Sequence, residues 1–156
     1  MPVGPDLVAS PGRRLLGALI DGLIFLLVGL PAFAAGAEGT AFSLTWLALV
    51  AVYEVVLVAT RGQTLGKLAA GTRVIDHGGE RLPAWSQAVA RWLVPSVPAI
   101  VGLFVVVDLV DVLSGAWTVL VYLPILGPPL RQGWHDRVAG TVVVDARNWG
   151  FRSSAE

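Results

Sequence analysis

Two carboxylates sit where carboxylates are costly. Asp21 interrupts an apolar run that opens at Arg13 and Arg14, and Glu54 interrupts a second run that ends at Arg61. Asp21 is seven residues from Arg14, and Glu54 seven from Arg61, a separation of about 10 Å along a helix axis. Each acid therefore shares a face with its arginine but is too far away for the usual i,i+4 ion pair. A charge well inside a bilayer-crossing helix costs roughly 2.5–3.5 kcal/mol on insertion scales. Each acid thus needs a partner from another helix, a water or a proton. On antiparallel neighbours the two would lie at matching depth, and facing each other they would titrate jointly with one raised pKa. Asp21 and Glu54 form a candidate proton or cation site. The alternative is that each binds an arginine or a backbone group and sets helix register. Gly17 and Ala18, one turn below Asp21, leave room for a second helix to approach.

Other motifs carry less chemistry. Gly62-Gln63-Thr64-Leu65-Gly66-Lys67-Leu68 imitates a phosphate loop, but it has one residue too few between its glycines and Leu68 where magnesium needs a hydroxyl. It is read instead as a tight re-entry at the membrane surface, with Lys67 near headgroups. In His135-Asp136-Arg137 the histidine invites a proton-relay or metal reading, yet His77 and His135 lack ligand spacing. Asp136, between Arg131 and Arg137, reads more simply as a salt-bridge partner. The chain has no cysteine, which removes thiol catalysis, disulfides and Cys-based zinc sites. No nucleophile–base set is visible, so no enzyme activity and no cofactor are expected.

The elements that hold these residues are membrane helices. The chain has 156 residues, 55% of them hydrophobic and 14% charged, against about 25% charged in an ordinary soluble domain; the mean hydropathy is +0.72. Arg13-Arg14, the run behind them and Ala32-Phe33-Ala34 imitate a cleavable signal. Asp21 interrupts that run, however, and its length exceeds the usual core of about 7–15 residues. The organisation expected is a flexible leader (1–12), a membrane domain (13–145) and a tail (146–156). Four helices lie at about 13–35, 42–59, 92–107 and 112–130, with a polar loop at 60–91 and Asp108 and Asp111 between the last two; three spans is the alternative. All 11 basic residues fall before the first helix, in the middle loop or in the tail. By the positive-inside rule both termini and that loop are cytoplasmic, and anionic headgroups, not nucleic acid, are the expected contacts.

Within the polar segments Thr72-Arg73-Val74-Ile75-Asp76 reads as a strand, followed by a turn at His77-Gly78-Gly79-Glu80. Ala70-Gly71-Thr72-Arg73-Val74-Ile75-Asp76 echoes Ala139-Gly140-Thr141-Val142-Val143-Val144-Asp145. Either two short β-like stretches are alike by chance, or two halves are related by an axis along the membrane normal. In the second case Val74 and Val143 would lie close in a small sheet.

Arg14 with Asp21, Gly62-Gln63-Thr64-Leu65-Gly66-Lys67, and His135-Asp136-Arg137-Val138-Ala139-Gly140-Thr141 together resemble the RDD family, small and mostly bacterial membrane proteins. The resemblance covers about residues 11–145. It implies that Arg14, Asp21 and Asp136 are the arginine and two aspartates of the family name, with Arg13 an alternative for the first. It also implies involvement in transport, without a mechanism. The expectation is thus an all-α inner-membrane protein with a small cytoplasmic β-hairpin. It would move an ion or small solute as a homo-oligomer, because four short helices barely enclose a path. Asp21 and Glu54 would carry the ion, Arg14 and Asp136 would form a cytoplasmic gate, and Arg13, Lys67 and Arg137 would join that gate or touch lipid. A scaffold or assembly partner that transports nothing is the alternative.

Overall fold

The computed structural model describes residues 3–79, 81–104 and 109–152. Glu80, Asp108, the side chain of Asp111 and the end of the tail lie outside the described residues. The chain is mostly helical with one two-stranded sheet. Helix α1 spans Pro11–Ala34 and α2 spans Thr40–Arg61. Pro11 supplies the preset φ suited to a first helical position, and the Ser10 hydroxyl accepts from the Arg13 amide at 3.4 Å. Gly62, left-handed at φ 66°, ends α2. These two helices are long and apolar enough to cross a bilayer, and only 17% and 6% of their apolar windows are buried. A soluble core would hide such surface; here it is left exposed. Between the two helices, Phe25 meets Tyr53 and Trp46 edge-on with centroids 5.0 and 6.2 Å apart.

A short helix α3 (Leu65–Ala69) leads into β1 (Thr72–Asp76). Helix α4 then runs over Trp85–Gly102 and α5 over Leu109–Tyr122, the latter followed by a 3-10 turn at Leu123–Leu126. Helix α6 (Trp134–Ala139), β2 (Thr141–Asp145) and α7 (Ala146–Arg152) complete the chain. The third helix thus starts at Trp85, ahead of the apolar run at 92, because Gln87 Oε1 accepts from the Ala84 amide at 2.8 Å and starts the helix in its polar segment. The fourth helix stops at Tyr122, short of 130, where Pro124, Pro128 and Pro129 cannot continue it.

Helix α4 passes through Pro95 and Pro98. A proline frees the carbonyl four residues earlier, which then needs a donor from elsewhere. For Pro98 that carbonyl is Val94's, and the Trp117 indole on α5 donates to it at 2.8 Å.

The strands pair antiparallel, Thr72 opposite Asp145, Val74 opposite Val143 and Asp76 opposite Thr141. This is not a hairpin closed by His77-Gly78-Gly79, since α4, α5 and α6 separate its strands. One face packs Val74 and Val143 with Val58 of α2 and Ala88 of α4; the other packs Ile75, Val142 and Val144 with Leu7, Val8 and Trp149. Nor are the residues before α1 a free leader: Val8 bridges to Val144, and the Ala9 amide donates to the Val143 carbonyl at 3.0 Å. The buried Leu7 and Ala9 give that segment an apolar anchor.

The repeat is a property of the fold. Gln63 Nε2 donates to the Thr72 carbonyl at 2.9 Å, and Gln132 Nε2 to the Thr141 carbonyl at 2.8 Å. The His77 amide donates to Gly140 and, reciprocally, the Ala146 amide to Gly71, both at 2.9 Å. Exchanging the two strands reproduces the same register, so a pseudo-twofold axis passes between Val74 and Val143.

Replacing Trp117 with Phe keeps the ring and orphans the Val94 carbonyl. Chemical unfolding in detergent micelles is expected to show a loss of about 1–3 kcal/mol.

Candidate functional site

The buried charges gather between the helices and the sheet, around two carboxylates. Asp21 is only 5% exposed. Its Oδ1 accepts from the Tyr53 hydroxyl at 2.7 Å and the Gly66 amide at 2.8 Å. Its Oδ2 accepts from the Thr64 hydroxyl at 2.5 Å, with Lys67 Nζ at 3.7 Å. Thr64 also accepts from the Lys67 amide and so caps α3. One carboxylate of α1 thereby holds α2 through Tyr53 and the start of α3 through a hydroxyl, an amide and an ammonium. Gly66 makes the approach possible, since a Cβ there would stand 2.7 Å from Asp21 Cγ and 2.8 Å from its amide nitrogen.

Asp136 is fully buried on α6. Arg14 Nη2 of α1 donates to its Oδ2, Arg91 Nη1 of α4 lies against its Oδ1, and the Gly133 amide donates to Oδ2 at 3.1 Å, capping the acid's own helix. Arg14 also reaches the Arg131 carbonyl, and Arg91 Nη1 the Thr141 hydroxyl at 3.1 Å. Two arginines and a backbone amide surround this carboxylate, and charge-assisted contacts of that kind offset the cost of burying it. Arg13 pairs with Asp145 at the end of β2 at 2.7 Å, and Gln87 donates to Asp76 at the end of β1 at 2.8 Å.

The two centres occupy related places. Lys67 on α3 and Asp136 on α6 are counterparts in the repeat, preceding Gly71-Thr72 and Gly140-Thr141 by the same number of residues. They carry opposite charges, and α1 answers each with its complement, Asp21 for Lys67 and Arg14 for Asp136.

The sequence-derived residues are therefore distributed as follows. Arg14 and Asp136 are joined, and Asp21 belongs to a separate centre. Glu54 is half-buried on α2 and, among the described residues, makes no hydrogen bond or ion pair with Asp21 or any other group. Lys67 turns inward to Asp21 and not toward headgroups, because a buried carboxylate attracts a cation more strongly than a solvated surface does. Burial lowers its pKa, and the Glu54 charge acts next, raising it. Arg137 stacks over Trp134 at 5.5 Å. Arg131 meets Asp136 only through Arg14, and Asp136 finds its partners on distant helices. Sequence reasoning missed Arg91, Tyr53 and Thr64; only the repeat, which aligns the two polar segments, carried a signal for such cross-links.

His135 is buried beside Asp136, its Nε2 3.5 Å from Oδ1 and its ring 4.6 Å from that of Tyr122. Among the described residues its Nδ1 has no hydrogen-bond partner. Burial, then Arg91, Arg14 and Lys67, push its pKa well below the ordinary histidine value, so it is neutral in the fold. No three His, Asp or Glu side chains gather as a metal site would, among the described residues.

Long apolar helices left open to their surroundings, with charges sealed inside one end of the bundle, define a membrane protein. The RDD family profile matches residues 8–140, and the chain belongs to the RDD family. Among curated proteins and solved structures, none matches the chain.

Removing one partner of a buried ion pair costs about 3–5 kcal/mol because the other is left uncompensated. Arg14→Gln and Asp136→Asn are each expected to lower unfolding stability on that scale, and the double variant by clearly less than the sum, as a double-mutant cycle measures. For His135 the depressed pKa means the unfolded chain binds the proton first. Stability is then full above the unfolded value near 6.5 and falls as pH drops below it, by at most about 1.4 kcal/mol per pH unit. His135→Gln is expected to flatten that slope in unfolding measured from pH 7.5 to 5.

Proposed function

We propose that this RDD protein crosses the membrane four times, with both termini, the middle loop and the sheet on the cytoplasmic side of the cell membrane. The pairing of β1 with β2 supports it: strands that pair share a side, so the chain between them crosses an even number of times. Val8 bridging to Val144 extends the same reasoning to α1 and α2. Helix α4 has 18 residues, about 27 Å; its polar turns up to Arg91 stay at the cytoplasmic edge and its apolar part from Trp92 enters the hydrocarbon. The 14 residues of α5 reach about 21 Å, with the 3-10 turn extending them. The placement of all 11 basic residues agrees with this orientation.

The activity we infer is transport of an ion or small solute by an assembly of copies. The observation that carries it is Glu54, an acid on a membrane-length helix with no hydrogen-bond partner among the described residues, beside Lys67, whose ammonium its charge stabilises. An acid in that position is by default a functional candidate. It is open to a proton or a cation, whereas Asp21 already accepts three hydrogen bonds and faces the Lys67 ammonium. In this mechanism Glu54 carries the ion and Asp21 anchors Lys67 and α3. Arg14 and Asp136 form the gate at the sheet end. The exposed faces of α1 and α2 supply contacts between copies. One observation favours a second reading, a non-transporting scaffold: Asp21 and Asp136 each tie several elements together, as purely structural groups would.

Flux into proteoliposomes under imposed proton, sodium or potassium gradients separates the two. Glu54→Gln is expected to abolish pH-dependent flux while the protein stays folded and inserted, and Asp21→Asn to lower thermal stability first. Absence of flux from the wild type under every gradient would favour the scaffold.

A further inference from the structure

We propose that a cleft at the end of α2 binds the headgroup of an anionic phospholipid. The cleft has a volume of about 390 Å³ and lies between the last turn of α2, α3, β1 and α7. Among the described residues Arg61 and Arg73 line it together with Thr60, Gln63, Thr64 and Trp149, and no carboxylate does. Its remaining walls are leucines, among them Leu65 and Leu68, which are 47% and 58% exposed.

The arginines of this cleft differ from those of the charged seam. Arg13, Arg14, Arg91 and Arg147 each meet an aspartate. Among the described residues neither Arg61 nor Arg73 meets any acid. Arg73 is nevertheless held in place: its Nη2 donates to Gln63 Oε1 at 2.9 Å, and its guanidinium lies over the Trp149 ring at 5.2 Å. Its buried Nε has no partner. Gln63 is fixed in turn by its bond to Thr72. A positioned guanidinium with spare donors beside a second cation is suited to a phosphate diester.

Position in the fold selects the source of that phosphate. The cleft opens where a membrane-length helix ends, the depth at which headgroups and aromatic side chains meet. Exposed leucines beside the arginines extend an acyl-compatible surface from a phosphate-compatible one. A soluble phosphoester has no use for the leucines. The feature is confined to one half of the repeat, since the counterpart of Arg73 is Val142, fully buried in the sheet. The inference depends on membrane placement and not on transport.

The test uses the full chain in detergent, with native mass spectrometry against dioleoylphosphatidylglycerol and dioleoylphosphatidylcholine at equal concentration. An arginine near an anionic headgroup is worth about five-fold in affinity. The wild type is expected to retain one phosphatidylglycerol in clear preference to phosphatidylcholine. R61Q is expected to reduce that preference about five-fold and R61Q/R73Q to abolish it, with R147Q unchanged. Arg61 is exposed and, among the described residues, has no acid partner, so R61Q alone decides the matter if the double variant fails to fold. Millimolar glycerol 3-phosphate is expected to leave the lipid bound. Equal retention of phosphatidylglycerol by wild type and R61Q would overturn the proposal. So would its displacement by glycerol 3-phosphate, which would assign the cleft to a soluble phosphoester.

Discussion

The structure depends on one buried carboxylate, Asp136, held between arginines that come from different halves of the chain. Arg14 arrives from the first turn of α1 and Arg91 from α4, while the acid caps its own helix through Gly133. Ions this far from water are destabilising alone and tolerable only when the whole set is present. That all-or-none character makes the contact a selector of arrangement, since any packing that separates α1 from α6 strands at least one charge. Asp21 does the same with α1 supplying the acid instead of the arginine, drawing α2 and α3 onto α1. Helix α1 thus holds both halves with two charges two turns apart.

The sheet explains why these charges can be so well sealed. Each half contributes a short helix and a strand, related by the axis between Val74 and Val143, and the pairing buries Thr72 and Thr141 beside the ion network. The symmetry is broken where chemistry requires it. Lys67 and Asp136 differ in charge, and Arg73 faces a lined cleft where Val142 is core. A duplicated scaffold with unlike residues at matching positions lets one frame support a closed charge network on one side and an open arginine cleft on another.

Much of this was legible in the sequence, for identifiable reasons. The first two helices follow from length and hydropathy alone. The repeated Ala-Gly-Thr and terminal Asp offered the pairing of Val74 with Val143 as one of two readings, and the sheet realises it. Asp21 needed a partner beyond its own helix because seven residues put Arg14 out of reach. What the sequence concealed was direction. Lys67 appeared to face headgroups, yet the Asp21 carboxylate draws it inward; Arg91 appeared to end a loop, yet it lies within α4 and enters the core. Long side chains reach either way, and only the packing of the other elements decides which. Residues 1–12 read as mobile from their prolines and glycines, whereas Leu7, Val8 and Ala9 dock on the sheet.

The central claim is that the paired strands hold both halves of the chain on one side of the membrane. Because the chain has no cysteine, single cysteines at Ala37, His77 and Arg147 report sidedness directly with a membrane-impermeant maleimide. Right-side-out and inside-out vesicles are compared. The account predicts that His77→Cys and Arg147→Cys label from the same, cytoplasmic side and Ala37→Cys from the other. Labelling of positions 77 and 147 from opposite sides would contradict it.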